Sequence, residues 1–168
     1  HRPLGVVGVI TPYNFPTDIS SIALAHAAVA GNAIVWKPTE YAPLACAMVA
    51  DMFAQAGIPD GVINVVQGYG DVGEAIVASK DVKGIFFTGS TATGEKIARA
   101  NPLRPMLLEL GGDGPQIVLD DADIDAAVEG AIVGAFYYSG QVCTSSERIF
   151  VQEAVYDQFL TKFRKAMS

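Results

Sequence analysis

Cysteine is scarce in this chain: two residues, Cys46 and Cys143, among 168. Two cysteines make no disulfide framework, and neither is flanked by metal-ligand spacing. That usage fits a reducing compartment, and the expected location is cytoplasmic. No run of Lys and Arg appears, and 11 basic residues stand against 18 acidic ones for a net charge of -7. Nucleic acid and anionic membrane surfaces are therefore not expected as partners. No apolar run reaches the ~20 residues of a spanning helix, because Gly, Asn or a charge interrupts each one first. No secretory leader is visible. The chain opens at His1 almost directly on a strand, which reads as an internal piece of a longer protein. Low-complexity segments and internal repeats are absent as well.

What is present is a core-forming composition. Hydrophobic residues at 51% and charged residues at 17% exclude a disordered chain. Short β-branched runs alternate with Ala-rich helical patterns. Strands are expected at 6–10, 33–36, 62–66, 84–87 and 106–110, and helices at 18–30, 43–56, 71–78 and from Ser90 to about Ala100. Thr17 or Asp18 is the expected N-cap of the first helix. The alternation implies a parallel sheet with helices on both faces. Gly111-Gly112-Asp113-Gly114-Pro115 reads as a boundary. Beyond it the order repeats more loosely: a strand at 116–119, a helix from Ile124 to about Tyr138, a loop, a strand at 148–151 and a helix at 155–166. Met48, Met52 and Phe53 recur at helical spacing and are read as core. Cys46 and the lone His26 fall inside helical patterns and are read as structural, His26 as a satisfied core histidine.

The chemistry centres on Gly140-Gln141-Val142-Cys143-Thr144. A small thiol after a Gly-Gln turn is a candidate nucleophile, although one cysteine alone is more often a buried hydrophobe. A thiolate nucleophile needs an oxyanion donor and a base to finish the reaction. Asn14 within Pro12-Tyr13-Asn14-Phe15-Pro16 is the candidate donor. Glu109 within Leu108-Glu109-Leu110-Gly111-Gly112 is the candidate base. Open parallel sheets bind ligands beyond the carboxyl ends of their strands. Asn14, Lys37, Glu40, Gly68, Gly89, Ser90 and Glu109 all fall at such ends. Gly68-Tyr69-Gly70-Asp71-Val72-Gly73 matches a dinucleotide-type pattern, and a plain glycine-rich turn explains it equally well. Gly89-Ser90 at a helix start is a candidate phosphate cradle, with an ordinary Ser N-cap as the alternative.

Pro12-Tyr13-Asn14-Phe15-Pro16, Lys37-Pro38-Thr39-Glu40, Phe87-Thr88-Gly89-Ser90, Glu109-Leu110-Gly111-Gly112 and Gly140-Gln141-Val142-Cys143 follow one another in this order. In that order and rough spacing the chain resembles the NAD(P)-dependent aldehyde dehydrogenase superfamily over essentially its whole length. The resemblance implies a Rossmann-like NAD(P)-binding domain over 1–111 and the start of a second α/β catalytic domain over 112–168. It makes Cys143 the nucleophile toward an aldehyde, Asn14 the oxyanion donor with the Cys143 N–H, and Glu109 the base that activates water on a thioester. It gives Lys37 and Glu40 to the adenine-side ribose, Ser90 to the pyrophosphate, and Gly68 and Gly73 to a close backbone approach. Thr11, Pro12, Gly89 and Gly111 complete the implied cofactor contacts. NAD is favoured over NADP, because Glu40 should repel a 2′-phosphate. Tyr13, Phe136 and Tyr137 are candidates to line the aldehyde's path.

Two departures stand out. Asp113 replaces the Lys that usually follows Glu-Leu-Gly-Gly. The family's amino-terminal region, its later Glu-x-Phe-Gly-Pro motif and its oligomerisation strand are not in this sequence. The expected parent is a homodimer or homotetramer. The alternatives are an acylating semialdehyde dehydrogenase that passes its thioester to coenzyme A, which a resident Glu109 argues against, and a non-catalytic dinucleotide-binding or structural fragment.

Overall fold

The structure, a computed structural model, describes residues 2–101 and 103–168. Two compact units divide the chain, His1–Leu110 and Gly111–Ser168. The first runs β1 (Val6–Ile10), α1 (Asp18–Val29), β2 (Ala33–Lys37), α2 (Pro43–Gln55), β3 (Ile63–Val65), α3 (Gly70–Ala78), β4 (Val82–Thr88), α4 (Thr91–Ala100) and β5 (Met106–Glu109). Its five strands are all parallel and lie in the order β3-β2-β1-β4-β5. This is the doubly wound order, with the chain reversing direction across the sheet between β1 and β4.

Side chains of a strand alternate between faces, and both faces here are apolar. Val7, Val9, Ile34 and Trp36 point to one side and pack with Leu24 of α1 and with Cys46 and Val49 of α2. Ile85 and Phe87, joined by Ile10 and Val35, point to the other and pack with Ile76 and Val77 of α3 and Ile97 of α4. Gly8 lets α3 approach the central strand: a Cβ there would lie 2.6 Å from Cγ2 of Ile76. The expected sheet with helices on both faces is therefore what forms.

Three sequence expectations are corrected. Met48 and Met52 are 60% and 67% exposed. The inward stripe of α2 is Cys46, Val49, Ala50 and Phe53. Leu44, Met48 and Met52, four apart, form a second apolar stripe that faces away from the sheet. Periodicity detects both stripes and cannot tell which one faces the core. His26 is exposed too, its ring Nδ1 lying 2.7 Å from the Ile22 carbonyl one turn back. Thr17 precedes α1 without a side-chain capping bond. Its carbonyl instead accepts from the backbone N–H and the hydroxyl of Ser21.

The second unit runs β6 (Gly114–Val118), α5 (Ile124–Phe136), a tight turn (Tyr137–Gly140), β7 (Ser146–Val151) and α6 (Glu153–Ala166). Its two strands are parallel. Asp123 caps α5 by accepting from the N–H groups of Asp125 and Ala126. Val118, Ile149 and Val151 pack on Val128 and Ala131 of α5 and on Phe159 of α6. Phe159 stacks on Phe163 with ring centroids 5.6 Å apart. No helix among the described residues is long and apolar enough to cross a membrane.

Candidate active site

Every loop that leaves a carboxyl end of the first sheet carries one of the sequence's candidate residues. The loop after β1 carries Asn14, half-buried, and a chain of buried polar groups fixes its two ends. Trp36 Nε1 donates to Thr11 Oγ1 at 2.9 Å, Thr11 and Ser20 hydroxyls lie 2.8 Å apart, and Ser20 Oγ donates to the Pro16 carbonyl at 2.5 Å. An indole N–H can only donate and a carbonyl can only accept. The single proton of each hydroxyl must therefore point the same way along the chain, and Thr11 donates to Ser20. The Cys46 thiol also donates to Pro16 O, at 3.6 Å. Burial pushes the Cys46 thiol up from its ordinary pKa, which keeps it protonated and able to donate. Thr11, expected as a cofactor contact, is 4% exposed, with its hydroxyl engaged in this chain. Pro12 is half-buried between Thr11 and the exposed Tyr13, whose ring meets Tyr41 edge-on at 6.0 Å.

At the end of β2, Lys37 is buried and its ammonium lies 3.1 Å from Glu40 Oε2 and 3.1 Å from Pro38 O. A third donor proton remains for a ligand. A backbone hydrogen bond, and then the Lys37 ammonium, hold the Glu40 carboxyl below its ordinary pKa against the opposing effect of burial. Glu40 is therefore an anion at neutral pH with a cation alongside it.

After β3, Gly68 has φ 155 and a Cβ there would sit 2.3 Å from Val72 Cγ2, so both backbone and space demand glycine. Gly73 is different: a Cβ would make ordinary contacts with Lys37 Cδ at 3.7 Å and Ile10 Cδ1 at 3.8 Å. After β4, Gly89 leaves no room for a Cβ because the Phe87 ring is 2.6 Å from its place. Ser90 is the N-cap of α4 and accepts from Thr93 N at 3.3 Å. Glu109 ends β5, exposed, opposite Thr88 in the register. Its backbone carbonyl accepts from Gly89 N at 3.0 Å, tying the last two strand ends together.

Thr88 stands within the Phe87-Thr88-Gly89-Ser90 motif, which gave it no role of its own. It is 8% exposed and its Oγ1 has no hydrogen-bond partner among the described residues. A buried hydroxyl without a partner at a ligand-binding sheet edge marks a polar need that a bound molecule would meet. Its signal in the sequence was only its place, one residue before Gly89-Ser90. These residues fit a dinucleotide. The N-terminus of α4 offers backbone N–H groups and a positive dipole end to phosphate, and Glu40 offers a carboxylate to a ribose diol.

Cys143 belongs to the second unit. It is exposed, whereas Cys46 is fully buried. Ser145 N donates to Val142 O at 3.0 Å, closing a β-turn with Cys143 at its first corner. Tyr138 and Ser139, just before it, are in the left-handed region with φ 51 and 59. Phe136 and Tyr137 are both more than half exposed. Gly111 opens the unit and is exposed. Asp113 bonds to Arg148, its Oδ2 lying 3.0 Å from Nε and its carbonyl 2.6 Å from the guanidinium, so this departure from the family pattern has a local partner across β6 and β7.

The model of the Aldehyde dehydrogenase family matches residues 1–168. The mitochondrial succinate-semialdehyde dehydrogenase of rice, Oryza sativa subsp. japonica, is 46% identical over 99% of this chain and 32% of its own length. The solved NAD+ complex of an aldehyde dehydrogenase from Bacillus cereus superposes with a TM-score of 0.95 at 42% identity, over 99% of this chain and 34% of that one. A glyceraldehyde-3-phosphate dehydrogenase of Methanocaldococcus jannaschii complexed with NADP superposes with a TM-score of 0.93 at 43% identity, over 99% of this chain and 38% of that one.

Proposed function

The chain belongs to the aldehyde dehydrogenase family, and from that premise we propose that the protein containing it oxidises an aldehyde to a carboxylic acid with NAD or NADP. The chain spans 32% of the rice relative's length, so the activity is proposed for a protein of family length and not for these residues alone. The observation that carries the reading is the arrangement of the first unit. Asn14, Lys37, Glu40, Ser90 and Glu109 come from four separate motifs and all sit at carboxyl ends of one parallel sheet.

The roles follow from the chemistry of each group. The Cys143 thiolate adds to the aldehyde carbon, and the carbonyl electron pair moves onto oxygen. Amide N–H groups of Asn14 and of the Cys143 backbone hold that oxyanion. NAD or NADP, held by Lys37, Glu40 and Ser90, would supply the hydride acceptor for the same carbon. A thioester to Cys143 remains. Glu109 takes a proton from water as its oxygen adds to the thioester carbon. The C–S bond breaks, the acid leaves and the thiolate is restored. Lys37 and Glu40 hold the adenine-side ribose, and Ser90 with the start of α4 holds the pyrophosphate. The ionised Glu40 supports a preference for NAD, since a 2′-phosphate would meet its negative charge.

Presteady-state and steady-state kinetics of the family-length protein test this. Glu109→Gln should keep the burst of reduced cofactor and slow later turnover by ~10²- to 10⁴-fold, the usual loss with a general base. Cys143→Ala should abolish the burst. A normal burst and a normal steady rate in Glu109→Gln would remove Glu109 from this role. Turnover that requires coenzyme A would favour the acylating alternative.

A further inference from the structure

We infer that Ser145 is a positioning residue for Cys143, its hydroxyl closing the neck of the loop that presents the thiol. The inference rests on the reading of Cys143 as the nucleophile. It starts from α5, whose last four carbonyls have no partner within the helix. Two of these, Gly134 O and Ala135 O, lie 3.0 Å and 3.5 Å from Ser145 Oγ. A hydroxyl has one proton, so Gly134 O is its main acceptor and Ala135 O a marginal one. Ser145 is 4% exposed, although Cys143 two residues earlier is exposed. One side chain of the turn is thus driven inward against the end of the helix, while the thiol remains outside.

Between the two ends of this peg the chain is under conformational load. Tyr138 and Ser139 are left-handed at φ 51 and 59, and Gly140 follows at φ 75. Successive non-glycine residues persist there only where the surroundings hold them. The carbonyls of the turn are closely approached as well. A Cβ on Gly112 would lie 2.5 Å from the Cys143 carbonyl oxygen, and one on Gly114 would lie 2.5 Å from that of Ser145. The turn closed by Ser145 N on Val142 O is therefore seated between a glycine backbone and a hydroxyl peg. A nucleophile displaced by ~1 Å can lose on the order of 10²-fold in rate, so a device that fixes its backbone has catalytic consequence.

Ser145→Ala and Ser145→Thr in the 168-residue chain test the inference. Ser145→Ala should speed amide exchange at position 145 on the order of tenfold, the effect of one lost hydrogen bond on a closed–open equilibrium. Amides of Val118 and Val151 should change less. Iodoacetamide should label Cys143 faster in the folded chain than in the urea-unfolded one. Ser145→Ala should bring that ratio toward one, and Ser145→Thr, which keeps the donor, should restore it. Unchanged exchange and an unchanged ratio in folded Ser145→Ala overturn the inference, as does a folded Ser145→Thr that fails to rescue. If Ser145→Ala does not fold, NMR of the unsubstituted chain decides: a slowly exchanging Ser145 hydroxyl proton supports the peg, and its absence overturns it. A Cys143 that reacts no faster folded than unfolded before any substitution defeats the nucleophile reading instead, and the inference falls with it.

Discussion

The two units hold their candidate residues in different ways. A parallel sheet is normally covered on both faces. The first unit meets this with α1 and α2 on one face and α3 and α4 on the other, and Trp36 and Ile34 are fully buried. In the second, α5 and α6 cover one face of β6 and β7, while Ile117 is 68% and Phe150 53% exposed on the other. The candidate groups differ in the same sense. In the first unit they stand at strand ends of one parallel sheet, and the Trp36–Thr11–Ser20–Pro16 chain anchors the loop that carries Asn14. In the second the candidate nucleophile, Cys143, sits on a turn held by local contacts and left-handed residues. The loop that carries Asn14 is thus held through strands of a covered sheet, whereas the Cys143 turn is held by its own contacts, Ser145 Oγ on Gly134 O and Ser145 N on Val142 O.

The sharpest test of this contrast sets Trp36→Ala against Phe150→Ala. Trp36→Ala empties a fully buried site and removes the donor to Thr11, and should cost about 3–5 kcal/mol in urea unfolding. Phe150→Ala, at a half-exposed ring under the Arg148 guanidinium, should cost only about 1 kcal/mol. Equal losses would break the contrast. Next in size is Thr11→Val, which keeps the shape and deletes the relay's hydroxyl. It strands the buried Trp36 N–H and should cost about 1–3 kcal/mol by the same measurement. A neutral Thr11→Val would mean that the relay does not fix the Asn14 loop.

The smallest effect is electrostatic. The Glu40 carboxyl titrates below its ordinary value of 4.5 in the folded chain. A lowered carboxylate pKa contributes stability above the unfolded value, and that contribution is lost as pH falls through the folded one. Stability should therefore decline below about pH 4.5, and Glu40→Gln should flatten that part of the curve slightly, because the group is partly exposed and solvent screens it. An identical acid limb in both proteins would contradict the Lys37–Glu40 pairing.

Much of the first unit was legible because its strands are short β-branched runs punctuated by Gly and Pro, as at Val6–Ile10 and Ala33–Lys37. Polar residues that end such runs, Lys37 and Glu109, could be placed at the ligand-binding edge from the strands alone. The inward face of α2 was not legible, since Leu44-Met48-Met52 and Cys46-Val49-Phe53 are both apolar at helical spacing. His26 stands on an outer stripe of α1 and shows nothing in sequence that distinguishes it from a core histidine. Thr88 and Ser145 were missed for another reason. Their significance lies in a missing partner and in a carbonyl met across a loop, and neither has a local sequence signature.

The central claim is that Cys143, and not Cys46, is the reactive thiol. Timed iodoacetamide labelling of the folded chain with peptide mass mapping addresses it directly. Cys143 should label first, its rate should change when NAD is added, and Cys46, buried and with its thiol pKa raised, should label only as the chain unfolds. Labelling of Cys46 as fast as or faster than Cys143 in a demonstrably folded sample would contradict the account.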